Sequence, residues 1–316
     1  MMEKDAKIYV AGHGGLVGSA IVRKLKEEGY TNIVTRTHSE LDLTDQRVTR
    51  EFFEKERPDY VFLAAAKVGG ILANSICRAD FEYVNLMIEC NVIKAAYDYG
   101  AKKLLFVGTA AVYPECCPQP IKEEYLLTGP LDSTKEAYAI AKISGIKMCQ
   151  YFDEQYGANF ISVLPNNLYG PNDNFDLETS HVIPALIRKF HTAKVTGADH
   201  VEVWGSGNQR REFLYVEDLA DALLFLMNQY NNSEPINVGT GEDISIKELS
   251  ELIKRVVGYE GSIVLDTTKP DGALRRLLDV SKLNALGWKY KTSLEDGLTK
   301  MYKASSEIYK RRKSNV

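Results

Sequence analysis

The segment YAIAK carries a phenol, Tyr138, and an ammonium, Lys142, four positions apart. On a helix that spacing puts both side chains on one face. A phenol can give its proton to a ketone oxygen, and a neighbouring ammonium eases the transfer by stabilising phenolate and so lowering the phenol's pKa. The same lysine can hydrogen-bond the ribose of a nicotinamide cofactor. Upstream, FVGTAAVYP sets a hydroxyl, Thr109, at the end of an apolar run and follows it with the methyl groups of Ala110 and Ala111. Such a hydroxyl can hold a carbonyl oxygen as it gains charge. Tyr and Lys at this spacing occur by chance on many helices, so the pair acquires meaning only from the elements that carry it.

Those elements must bring a cofactor to the phenol. The turn GHGGLVG runs from Gly12 through His13, Gly14, Gly15, Leu16 and Val17 to Gly18, directly after the first apolar run. Glycines at 12, 15 and 18 permit a tight turn, close approach of a pyrophosphate and close helix–strand packing. The helix that opens there offers N–H groups and a positive dipole end to the phosphates. The plainer alternative is a glycine-rich turn with no ligand. At the end of the next strand Arg36 stands where a carboxylate would select NAD, and no acid follows until Glu40. A cation there suits the 2′-phosphate of NADP, against the alternative of a solvated surface arginine. Asp42 and Leu43 are placed to flank the adenine; Asp42 could equally cap the helix that follows.

Strand and helix signals alternate through the first half of the chain. KIYVAG, NIVTRT, YVFLAAA, KKLLFVGT and FISVLP read as strands, with helical patterns between them that stop at Gly29, Pro58, Gly100 and Gly157. The expected fold class is α/β: a Rossmann-type doubly wound parallel sheet with a smaller, discontinuous α/β C-terminal substrate lobe. Residues 1–170, with part of 205–245, are expected to form the cofactor domain. Residues 171–204 and 246–316 are expected to form the substrate lobe, with a cleft between the two.

Composition narrows the function classes. With 45% hydrophobic and 26% charged residues the chain reads as a soluble globular protein. A formal net charge of −4 argues against a general nucleic-acid binder. The basic C-terminal YKRRKSNV reads as a solvated helix end or tail. Cys77, Cys90, Cys116, Cys117 and Cys149 match neither a metal site nor a disulfide framework, and free thiols fit a reducing compartment. With no leader-like or membrane-spanning apolar run, a cytoplasmic protein without a metal is expected.

On these motifs the chain resembles the extended short-chain dehydrogenase/reductases: a glycine-rich turn, a Ser or Thr at a later strand end (Thr109), and Y-x-x-x-K (Tyr138, Lys142). Over nearly its whole length it further resembles the GDP-L-fucose synthase family. AAAKVGGI, NNLYGP, SHVIPALIRKF, VWGSG, REFLYVEDLA, INVGTGEDISI and KPDG with RRLLDVSKLNALGW carry that likeness. Such enzymes epimerise C3 and C5 of GDP-4-keto-6-deoxy-D-mannose and then reduce C4 with NADPH. The resemblance implies that Tyr138 protonates O4, Lys142 tunes it and Thr109 holds the keto oxygen. Ala64, Ala65, Pro165, Asn166, Asn167, Leu168 and His181 would lie at the cofactor. Lys189, Trp204, Arg211 and Asp271 would meet the GDP-sugar, although Trp204 could be core, Lys189 a solvated helix residue, and Arg210 the arginine concerned instead of Arg211. A homodimer through DFEYVNLMIECNVIKAAYDYG and the Tyr138 helix is implied as well.

One departure stands out. In that family a cysteine at the position of Ala111 is paired with the histidine of SHVIP, here His181, to move protons at C3 and C5. A methyl cannot exchange a proton. The expectation is therefore an NADPH-dependent C4 reductase of a GDP-4-keto-sugar, hexose or heptose, working after a separate C3/C5 epimerase. The alternatives are a bifunctional synthase that uses Cys116, Cys117 or water, or one in which the alanines were introduced. From other classes come an NAD-dependent UDP-sugar 4-epimerase and a non-catalytic NADP-binding protein.

Overall fold

The computed structural model describes residues 1–176, 179–269 and 271–313; Pro270 of the KPDG segment lies outside them. The first strand, β1 (Ile8–Ala11), is buried at every position, as a strand covered on both faces must be. It leads into α1 (Leu16–Glu27), and the chain then turns at Gly29 with φ +79°. The alternation continues through β2 (Ile33–Val34), α2 (Gln46–Glu56), β3 (Tyr60–Leu63), α3 (Ile71–Ile76) and α4 (Arg78–Asp98). Next come β4 (Lys103–Val107), α5 (Glu136–Tyr156), β5 (Phe160–Pro165), β6 (Asn167–Tyr169) and α6 (Val182–Thr196). β7 (His200–Trp204), β8 (Arg210–Arg211), β9 (Phe213–Tyr215), α7 (Val216–Gln229) and β10 (Ile236–Val238) follow. The remainder comprises β11 (Ile244–Ser245), α8 (Ile246–Val257), β12 (Ser262–Asp266), β13 (Arg275–Arg276), α9 (Ser281–Ala285) and α10 (Leu294–Lys313).

Six strands form one parallel sheet in the order β10-β5-β4-β3-β1-β2. The chain runs outward from β1 to β2, then returns past β1 and continues from β3 in the other direction. Loops leaving the carboxyl ends of β1 and β3 therefore part, which opens a crevice at that point. Gly12 follows β1 and Ala64–Ala65 follow β3, so the topology brings both to one place. One face of the sheet buries residues such as Ile21, Leu25, Leu219 and Leu223 from α1 and α7. The other buries Phe52, Phe53, Val92, Ile93 and Ile146 from α2, α4 and α5. A separate core joins α6, α8 and α10 to β7 and β9.

Several expectations change here. NIVTRT pairs over Ile33–Val34 alone before the chain leaves the sheet edge. α3, six residues behind a glycine pair, is too short for a helical period to be visible in sequence. Leu283 and Trp288, assigned to the substrate lobe, pack in the core under α1 and α7. The basic C-terminal stretch is helical to Lys313, and residues 314–316 are outside the described ones. Among the described residues no helix is long and apolar enough to cross a membrane.

Candidate active site

The turn after β1 has the properties a dinucleotide phosphate needs. A Cβ on Gly12, where φ is +83°, would stand 2.7 Å from the Ala65 backbone; one on Gly18 would stand 2.1 Å from the Gly12 carbonyl oxygen. These two glycines let the three backbone segments meet, whereas Gly14 has open space around it. Gly15 is the N-cap of α1 and no side chain caps that helix end, so the N–H groups of Leu16, Val17 and Gly18 are left for a ligand. His13 adds a buried Nδ1 without a partner. The residues present fit a bound pyrophosphate.

Arg36 lines a recess of about 290 Å³ with Gly12, His13, Gly14, Gly15, Thr37 and His38. Its guanidinium is oriented by Glu56, with Nη2 to Oε1 at 2.8 Å, and by the Thr35 carbonyl at 2.8 Å from Nη1. Arg36 is thus a partly exposed cation, paired with Glu56 and bordering the glycine turn. Asp42 does not cap the following helix. Its Oδ1 accepts from the Thr44 N–H and hydroxyl at 2.9 and 2.7 Å, and Asp45 caps α2 through Arg47 and Val48. The turn at Asp42–Thr44 places the helix cap three residues further on, at Asp45. Leu43 has its side chain in the core of the sheet's second face.

At the chemical end, α5 packs along α4 and β4. Lys142 is buried with its Nζ 3.2 Å from the Val107 carbonyl, 3.1 Å from Glu89 Oε1 on α4, and 5.9 Å from the centre of the Tyr138 ring. Phe81 meets the Tyr138 ring edge-on at 6.4 Å. The sequence reading has the ammonium lowering the phenol's pKa. In the structure burial drives the Tyr138 phenol above its ordinary value and the charge of Glu89 adds to the rise. Thr109 stands beyond β4 and its Oγ1 accepts the N–H of Ala111 at 3.2 Å, in the short 3₁₀ turn Ala110–Val112.

Pro165 ends β5 against Val238 of β10, and Leu168 packs into the first-face core. Asn166 and Asn167 between them are held by Glu212, which is fully buried. Glu212 Oε2 accepts from Asn166 Nδ2 at 2.8 Å and its backbone carbonyl from Asn167 Nδ2 at 2.9 Å. The same carboxylate receives the N–H groups of Gly241 and Leu278 at 2.7 and 3.0 Å, which ties three loops to one side chain. In the sequence Glu212 is a lone acid ahead of the apolar run of REFLYVEDLA, and that is its only local signal.

His181 occupies the N-cap of α6, and the loop before it is tied to the β3 loop by the Gly70 N–H on the Thr179 carbonyl at 3.0 Å. Protein groups surround its ring, although the residue is exposed by its surface area. That crowding, with the charge of Lys135, holds the imidazole below the ordinary histidine range. Lys135, Arg211 and Arg276 lie near enough to repel one another, with Asp132 among them. Lys135 and Arg276 were not anticipated, because no local pattern joins residues so far apart in the chain. Arg210 is bound to Asp243 at 2.7 Å, whereas Arg211 donates to the Arg210 carbonyl and has no carboxylate partner among the described residues.

Trp204 is 60% exposed and so is not core. Ammonium groups of Lys189 and Lys269 lie 5.2 and 5.4 Å from its ring centre, and Lys189 also donates to the Glu202 carbonyl at 3.0 Å. Asp271 binds the Ser206 N–H and hydroxyl at 2.8 and 2.7 Å and also Gln209, so its carboxylate holds the turn after Trp204. Thus Tyr138, Lys142 and the β4 end form one group, while Lys189 and Trp204 meet each other and Asp271 holds the turn that follows Trp204.

Residues 8–239 match the NAD dependent epimerase/dehydratase family. The chain is 61% identical over 302 residues to a putative GDP-L-fucose synthase 2 of Arabidopsis thaliana, covering 96% of this chain and 92% of that one. It is 51% identical over 305 residues to the GDP-L-fucose synthase of Escherichia coli (strain K12), covering 94% and 95% respectively. A solved GDP-mannoheptose C4 reductase from Campylobacter jejuni with NADP bound superposes at a TM-score of 0.91 and 42% identity, covering 97% of this chain and 100% of that one.

Proposed function

Since the chain belongs to the NAD dependent epimerase/dehydratase family and, within it, to the GDP-L-fucose synthases, we propose that it reduces the C4 ketone of a GDP-linked sugar, hexose or heptose, with NADPH and no longer inverts C3 and C5. Membership makes it an NADP-dependent oxidoreductase of a GDP-sugar; the loss of inversion is the finer reading. NADPH, when bound, supplies the hydride. The turn Gly12–Gly18 receives its pyrophosphate, Arg36 its 2′-phosphate, and Asp42, Ala64 and Ala65 flank it, with Leu43 contributing backbone alone because its side chain is in the core. Asn166 and Asn167, immobilised by Glu212, border the nicotinamide end together with Pro165, Leu168 and His181.

Tyr138 keeps its proton at neutral pH, because burial disfavours phenolate, and gives it to O4: the phenol O–H bond breaks as the new carbinol O–H forms. Thr109 donates its hydroxyl hydrogen to the same oxygen while Oγ1 accepts from Ala111, which fixes the hydroxyl's direction. Arg211, with Lys135 and Arg276, offers charge to the substrate pyrophosphate, and Trp204 with Lys189 offers a stacking face to the base.

The observation that carries the loss of inversion is Ala111. Abstraction at C3 or C5 needs an acid–base pair on opposite sides of the ring, and one position of that pair is a methyl. Cys116 and Cys117 are poor substitutes. Cys116 is exposed, and burial raises the Cys117 thiol despite the charge of Arg276. A neutral His181 stands alone as packing or as a contact to cofactor and substrate. The same proposal includes a separate C3/C5 epimerase acting first, and a homodimer through α4 and α5, where Tyr83 and Tyr151 are 63% and 55% exposed.

The test is a reaction in D2O with NADPH and GDP-4-keto-6-deoxy-mannose, with and without a separate C3/C5 epimerase, read by NMR. A new C4 carbinol without deuterium at C3 or C5 is expected. Deuterium at those carbons, with GDP-L-fucose formed, would mean a bifunctional enzyme. Absence of turnover would move the search to other GDP-4-keto-sugars.

A further inference from the structure

The Glu212 carboxylate has no exposed surface, and its hydrogen-bond partners come from three separate segments of the chain. Oε2 accepts from Asn166 Nδ2 at 2.8 Å and from the Leu278 N–H at 3.0 Å. Oε1 accepts from the Gly241 N–H at 2.7 Å, with the Thr240 hydroxyl at 3.4 Å. The space is built for this group. A Cβ on Gly239 would stand 2.8 Å from the Glu212 carboxyl carbon, so the backbone leading to Thr240 and Gly241 passes over it only because residue 239 has no side chain. Burial raises the carboxyl above its ordinary range, and the donors oppose that rise.

Such a donor set admits one kind of side chain. An amide of the same shape puts an NH2 where one of the two oxygens stands, and in either orientation that NH2 faces an N–H that is itself a donor. Glutamine thus keeps the volume and loses at least one half of the connection.

The connected segments carry parts of both halves of the site. Asn166 belongs to the turn between β5 and β6 that borders the nicotinamide end, and the Glu212 carbonyl also holds Asn167 Nδ2 at 2.9 Å. On the other side, Arg211 directly precedes Glu212, and Leu278 lies two residues beyond Arg276. The two arginines are close enough for each charge to be felt by the other. Asn166 Nδ2 further reaches the Arg276 carbonyl at 3.3 Å, and Arg276 Nη1 donates to the Pro114 carbonyl at 3.0 Å.

We propose that Glu212 is a positioning residue that couples the two halves of the site: it fixes the asparagines of the cofactor side against the strands carrying Arg211 and Arg276, so that a nucleotide bound on either side strengthens binding on the other. This rests on the proposed reading that Asn166 and Asn167 border the nicotinamide and that the arginines meet the substrate pyrophosphate. The physical reason is that ordering the shared carboxylate and its partners costs entropy once, and the second ligand meets segments already held.

The experiment is isothermal titration of the full-length protein with NADP+ and with GDP, each alone and each in the presence of the other at saturation. In wild type GDP should tighten NADP+ at least about fivefold, and NADP+ should tighten GDP by the same factor, since such coupling is reciprocal. In E212Q the factor should fall towards one while each nucleotide still binds alone. A factor of one in wild type overturns the proposal. So does an unchanged factor in folded E212Q, even if its melting temperature falls, because a merely structural residue would leave the coupling intact. A second measurement needs no variant: hydrogen exchange at the Gly241 and Leu278 amides, both donors to the carboxylate, should slow in wild type when NADP+ alone is bound. Exchange that does not slow overturns the proposal whether or not E212Q folds. Wild type that binds NADP+ but not GDP counts against the GDP-sugar reading, and the exchange result then decides the coupling by itself.

Discussion

Arg36 Nη2 lies 2.8 Å from Glu56 Oε1, so the cation at the end of the second strand is anchored by a carboxylate from the next helix. That pairing sets its direction and shares its charge. Nε makes no bond among the described residues, and the recess it borders is formed by the glycine turn. Replacing Arg36 with Ala should weaken NADPH roughly ten- to hundredfold, matching the loss of about 1.5–3 kcal/mol for hydrogen bonds to a charged group. NADH, without the 2′-phosphate, should be nearly indifferent. Isothermal titration with both cofactors would measure it, and equal losses for the two would remove Arg36 from the 2′-phosphate.

Tyr138→Phe leaves the packing of Phe81 on the ring in place and removes the one donated proton. The expected result is a fall in kcat of roughly 10²–10⁴-fold with NADPH affinity unchanged. Single-turnover kinetics beside a binding titration would separate these, and a variant with wild-type kcat would place proton donation elsewhere.

Ala111→Cys returns a thiol to the turn behind Thr109. Deuterium should then enter C3 or C5 during turnover in D2O, where wild type shows none. In Ala111→Cys combined with His181→Asn the incorporation should be lost again while C4 reduction persists. If the cysteine variant reduces normally yet incorporates no deuterium, more than this one position separates the protein from an epimerase.

Trp204→Ala removes an exposed indole flanked by Lys189 and Lys269. KM for the GDP-sugar should rise about tenfold or more, since stacking on an aromatic ring contributes about 1–3 kcal/mol per base. Cofactor affinity should not change. A KM that stays constant would detach the indole from base recognition.

Asp243 bridges Arg210 and Arg275 at 2.7 and 2.5 Å with its side chain 5% exposed. Desolvation raises its pKa, but hydrogen bonds from Arg275 and Arg210 outweigh it and hold the carboxyl below the usual range. A depressed folded-state pKa contributes stability that is present above the unfolded value of about 4 and is lost as pH falls through the folded value. Asp243→Asn should therefore cost about 1.5–3 kcal/mol at neutral pH, the scale of hydrogen bonds to charged groups, and the difference from wild type should close in acid. Denaturant melts at several pH values would show it; a difference independent of pH would mean that shape, not charge, holds the bridge.

The sequence by itself determined what local spacing can encode. Glycines 12, 15 and 18 behind an apolar run made the tight turn between β1 and α1 legible, because their spacing and the helix start are consecutive in the chain. Tyr138 and Lys142 were legible for the same reason, and Ala111 stood out against the strand end that the family resemblance supplied. What the tertiary structure decided were the partners of these residues. Glu89 faces Lys142 because two long helices cross beside β4, and nothing near position 89 announces it. Glu212 gathers Asn166, Gly241 and Leu278 from distant parts of the chain, and Lys135 meets Arg211 and Arg276 in the same way. A carboxylate in sequence has no sign of whether it will be solvated or paired. Burial and long-range proximity settle that, and they exist only once the sheet and its helices have packed.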